Sequence, residues 1–79
     1  MGFHKRYIDD DQVIRIYRTQ GCQGVIDWFT KGADAVILSG PLSEKIDMMM
    51  NILIHNPEKG WNKISETIAN ASIEKGFDS

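Results

Sequence analysis

Apolar residues recur with helical spacing in four stretches of this chain, and glycine or proline separates one stretch from the next. Val13, Ile14, Ile16 and Tyr17 make the first stripe. They follow Asp9, Asp10 and Asp11, which suit both a helix cap and the positive end of a helix dipole. The spacing predicts a helix over about 11–19, with Gly21 at the left-handed position that closes it. Val25, Ile26, Trp28 and Phe29 predict a second helix over about 24–31, closed by Gly32. Pro41 suits the first turn of a third, with Leu42, Ile46, Met49 and Leu53 on one stripe and Asn56-Pro57 as its stop, which gives a helix over about 41–55. Met48, Met50, Ile52 and Ile54 make that helix apolar nearly all round, as in a central core helix or a helix with a second face for a partner. Pro57-Glu58-Lys59-Gly60 then turns the chain, and Trp61, Ile64, Ile68 and Ala71 predict a fourth helix to about Lys75, with Gly76 beyond it.

Ala35-Val36-Ile37-Leu38, between Gly32 and Gly40-Pro41, reads equally as a buried strand or a single helical turn, and periodicity does not choose between them. As a strand it needs a partner, and Phe3 to Ile8 is the segment that offers one. The fold class expected is therefore mainly α, a compact bundle of about four helices joined by short Gly/Pro turns, with a short strand pair over about 3–8 and 35–38 as the added element.

A chain of 79 residues has room for one core, so residues 1–79 are read as a single domain, and 42% apolar content is enough for it to fold. Cys22 is the single cysteine. Without an intramolecular disulfide, so small a fold suits a reducing compartment, and with no leader-like or membrane-spanning apolar run the expectation is a cytoplasmic protein with no membrane partner.

Metal binding needs three or four clustered ligands, whereas His4, His55 and Cys22 stand apart, so no metal and no cofactor are expected. His55 ends the third helix, where an imidazole meets unpaired carbonyls, and His4 reads as a surface residue. The aspartate run lacks the spacing of a calcium loop, and no nucleophile elbow or phosphate-binding glycine loop is present, so no enzymatic activity is expected. Trp28 and Trp61 lie on apolar stripes and read as core residues.

The net charge of −2 is unevenly spread: acids outnumber lysines after residue 32, so any basic surface must come from the first part of the chain. There Arg15 and Arg18, three apart on one helix face, precede Gly21-Cys22-Gln23-Gly24, and Lys31 ends the next helix. Two glycines remove the Cβ atoms that would block a phosphodiester backbone, and the following helix start offers N–H groups and a positive dipole. This segment, over residues 11–38, resembles the helix-GxxG-helix core of KH-type nucleic-acid-binding domains. The resemblance implies a strand after the second helix and a clamp on the backbone of nucleic acid, single strand favoured, formed by Gly21, Cys22, Gln23 and Gly24; Arg15, Arg18 and Lys31 are the basic residues expected to flank it.

Two other readings of the same residues stand beside it. The glycines equally suit a tight interhelical turn, and Tyr17 with Gly21 has the spacing of a helix-turn-helix reader. The rival function is a small protein-protein interaction or regulatory module that uses the apolar, Met-rich helix 41–55, and under either reading the chain is expected to act within a larger assembly.

Overall fold

Asp9 opens the helical part of the chain. Its extended backbone ends a strand, and its carboxylate accepts a hydrogen bond from the Gln12 N–H at 2.7 Å, capping the helix that follows. In the computed structural model, which describes residues 5–31 and 35–77, the order is β1 (Lys5–Asp9), α1 (Asp10–Thr30), β2 (Ala35–Ser39), α2 (Pro41–His55) and α3 (Pro57–Glu74). The two strands pair in parallel, with Tyr7 opposite Ile37 and Ile8 opposite Leu38. The strand pair expected over 3–8 and 35–38 is thus present as 5–9 and 35–39; Phe3, His4 and the helix-closing Gly32 lie outside the described residues.

Among the described residues there are three helices, where the pattern predicts about four. The two stretches expected over 11–19 and 24–31 are arms of α1, because only Gly21 leaves helical geometry between them, at φ 78° and ψ −173°. A four-residue turn was expected there, but one glycine achieves the change of direction, and Cys22 already belongs to the second arm.

A second difference follows from Asn56. It closes α2 by donating its N–H to the Ile52 carbonyl at 2.7 Å, and its side chain accepts from the Lys59 N–H at 3.2 Å to cap α3. Pro57 therefore stops one helix and occupies the first turn of the next, so the residues 57–60 read as a turn are helical. Gly60 sits where α3 crosses α2. A Cβ there would stand 2.5 Å from Leu53 Cα and 2.6 Å from Leu53 N, so only glycine lets the helices approach this closely. The buried row of α3 is Gly60, Ile64, Ile68 and Ser72, and Trp61, about 100° around the helix from Gly60, is 38% exposed instead of in the core.

One cluster forms the core: Ile8 from β1, Val13, Ile14, Cys22, Val25 and Ile26 from both arms of α1, Leu42 and Ile46 from α2, and Ile64 and Ile68 from α3. Trp28, Phe29, Met49, Met50 and Leu53 pack against it half-buried. Asp10 locks the strand end to α2. It is buried, and its Oδ1 accepts from the Ser43 N–H at 2.9 Å and the Ser43 hydroxyl at 3.3 Å, so a side chain from the start of α1 caps a helix 33 residues later. A Cβ on Gly40 would lie 2.4–2.7 Å from that carboxylate, so the cap needs glycine beside it.

Candidate functional site

The kink in α1 holds most of the residues singled out by the GxxG pattern. Gly21 takes a backbone conformation that is close to glycine-only, and no atom lies within 4 Å of where its Cβ would be. Cys22, the first residue of the second arm, is buried and turns inward, its thiol 3.7 Å from the Trp61 carbonyl. Gly24 is buried too, and a Cβ on it would lie 2.4 Å from Gln20 Cβ. The first arm's own side chain thus stands over the second glycine, and the close approach that Gly24 permits is one between the two arms.

The remaining residues of the pattern reach solvent. Gln23 is exposed and donates from Nε2 to Asp27 Oδ1 at 2.8 Å. Gly24 and Lys31 line a groove of about 250 Å³ together with Ile16, Gln20, Asp27 and Trp28. Arg15 and Arg18 are exposed on the first arm, and Arg18 donates from Nη1 to the Phe77 carbonyl, where the chain folds back after α3. A positive-φ Gly76 and the Phe77 N–H to Ser72 carbonyl bond at 2.9 Å hold that return in place. The structure brings Gly24, Gln23 and Lys31 to one side of the kink, with Asp27 among them. It turns Cys22 into the core and ties Arg18 to the far end of the chain.

A larger concavity lies between α2 and α3. It measures about 500 Å³ and is lined by Asp10, Leu42, Lys45, Met49, Thr67 and Asn70, with Glu74 and Lys75 at its end. Lys75 is paired there with Asp11 at 3.3 Å. Thr67 orients one wall by placing its hydroxyl 3.6 Å from Met49 Sδ. Lys45 and Met49 also line an apolar groove of about 240 Å³ with Met48 and Ile52, so the cleft continues onto the outer face of α2. Met48, about 200° around the helix from buried Ile46 at 100° per residue, is 70% exposed. The Met-rich pattern left open whether α2 is a core helix or has a second face, and Met48 lies on an outward face. Nothing in the sequence marked Thr67, Asn70 and Glu74 as its continuation, because they read as the ordinary polar side of an amphipathic helix.

Among the described residues, no group of three or more His, Cys, Asp or Glu side chains is placed to hold a metal ion, and no helix is long and apolar enough to cross a membrane. His55 Nδ1 lies 2.9 Å from the Asn51 carbonyl oxygen, the helix-end contact expected of it. Comparison of the chain with protein-family models, with curated proteins and with solved structures finds no match.

Proposed function

We propose that this chain is a non-enzymatic interaction module that receives an amphipathic helical segment of another protein along the α2–α3 cleft. The observation that carries the reading is the continuity of that cleft through Lys45 and Met49 onto the Met48 and Ile52 face. One end offers unbranched, adaptable methionine side chains to apolar residues, and the other offers Lys45, Thr67, Asn70 and Glu74 to polar ones. An amphipathic helix seated in a groove lays its apolar face on such side chains and meets polar ones along its margin. Lys45 stands at the junction of the two regions, so a carboxylate on the partner helix fits there.

The second reading, contact with the nucleic-acid backbone, is favoured by Arg15, Gln23 and Lys31, which are exposed about the α1 kink. It has less support, because Gln20 stands over Gly24 and Asp27 lies between Gln23 and Lys31. One NMR experiment separates the two. A leucine-rich, glutamate-bearing amphipathic helical peptide, titrated into isotope-labelled protein, is expected to shift the resonances of Lys45, Met48, Met49, Ile52 and Thr67. Met48→Ser should weaken binding while leaving stability within about 1 kcal/mol, as exposed substitutions do. An oligothymidylate that instead shifts Arg15, Gln23 and Lys31, with affinity falling steeply as salt rises, would overturn the first reading in favour of the second.

A further inference from the structure

The strand pair is incomplete as a sheet. Parallel strands occur almost only in sheets covered on both faces, and a two-stranded ladder is marginal by itself. Among the described residues β1 and β2 pair only with each other, so each has one edge without a strand partner. Ile8 faces the core and is fully buried, whereas Tyr7 and Ile37, directly paired on the opposite face, are 59% and 37% exposed. Val36 is exposed as well.

The two free edges differ in sequence. β1 reads Lys-Arg-Tyr-Ile-Asp, with charged residues of the kind that keep edge strands from pairing. β2 reads Ala-Val-Ile-Leu-Ser, without a charge, and so lacks that protection. Pro41, with no N–H to donate, stands just past its end and limits how far a ladder could run.

We propose that β2 pairs antiparallel with β2 of a second copy of this chain, in a register centred on Ile37. A second copy fits because the strand is its own complement: Ile37 meets Ile37, Val36 meets Leu38, and no like charges are opposed. The pairing is two-fold and closes on itself, giving a four-stranded sheet with the charged β1 strands at its outer edges. Pairing β2 with the partner's β1 would repeat without closing. A ladder this short covers less than the roughly 1,200–2,000 Å² of a stable interface, so the dimer is weak and reversible. This surface is separate from the α2–α3 cleft, and either is testable without the other.

Sedimentation equilibrium of the intact chain over a wide concentration range is expected to show a monomer–dimer equilibrium. Ile37→Lys and Ile37→Glu each place like charges opposite one another across the two-fold axis and should weaken the dimer roughly tenfold or more. An equal mixture of the two variants should restore it. A parent chain that stays monomeric at millimolar concentration overturns the proposal, as do larger open oligomers, variants that dimerise as well as the parent, or folded variants whose mixture stays monomeric. Hydrogen exchange on the parent decides the matter even if the variants fail to fold. Alternate β2 amides should gain protection as concentration rises, and an unchanged pattern overturns the pairing.

Discussion

Gly60→Ala separates helix propensity from helix packing, because the two predict opposite signs. In an isolated helix the change would stabilise by about 1 kcal/mol, since glycine is the poorest ordinary helix former. In α3, however, the added methyl would stand 2.5 Å from Leu53 Cα and 2.6 Å from Leu53 N. Both are backbone atoms of α2, so no rotamer change relieves the contact, and the helices must separate by about 1 Å to restore ordinary van der Waals distances. Only Asn56 lies between α2 and α3, and it caps both, so the junction has little slack with which to move. Overpacking of this kind costs about 1–3 kcal/mol, and the rigid junction puts the cost at the upper end. Set against the propensity gain, the net destabilisation is about 2 kcal/mol, a fall in Tm on the order of 10 °C for a domain this small. Thermal and urea unfolding followed by circular dichroism at 222 nm, roughly the wavelength of helical signal, measures it. A variant more stable than the parent would show that α2 and α3 do not cross at Gly60 and Leu53.

Three further substitutions test the other junctions. Gly21→Ala meets no neighbouring atom but must adopt a conformation nearly closed to alanine, so it should cost about 1–3 kcal/mol through backbone strain alone, and an unchanged Tm would place Gly21 in ordinary helix. Asp10→Ala leaves the Ser43 N–H without its carboxylate acceptor, while the Ser43 hydroxyl keeps the Gly40 carbonyl at 3.1 Å, and should cost about 1–3 kcal/mol in urea unfolding; a loss of a few tenths would mean that water replaces the cap. Cys22 is buried against the Trp61 carbonyl, so its alkylation by iodoacetamide should track global unfolding across a urea series, and rapid labelling of the native chain would place the thiol at the surface.

Much of this architecture was legible because local chemistry and tertiary structure agree on it. Pro41 and Asn56 bound α2 where the pattern places them, and Asp9 caps α1 as an aspartate before an apolar stripe should. The start of α3 was misread because Pro57-Glu58-Lys59-Gly60 has the composition of a turn. The same residues are a proline and an acid in a first helical turn, and what decides between the readings is Asn56 serving two helices, a local capping signal that the turn-like composition masks. Asp10 was hidden in another way. Three consecutive aspartates look alike in sequence, yet Asp9 caps its own helix, Asp10 caps a helix 33 residues away, and Asp11 pairs with Lys75.

The candidate site shows the same limit in sharper form. A glycine in a sequence reports that a Cβ is unwelcome and leaves open whether a ligand, a backbone angle or another part of the chain excludes it. The GxxG pattern contains two glycines excluded for different reasons: Gly21 by its backbone angles, with open space around it, and Gly24 by the Gln20 side chain. A clamp needs both positions open to a phosphate strand, whereas a tight turn needs only that the chain change direction and repack. The observed division of labour meets the second requirement, and Cys22 is buried in the core against the Trp61 carbonyl of α3. On the proposed reading, the chemistry offered to a partner lies where the sequence pattern was least distinctive, in methionines and ordinary polar residues that line one continuous cleft.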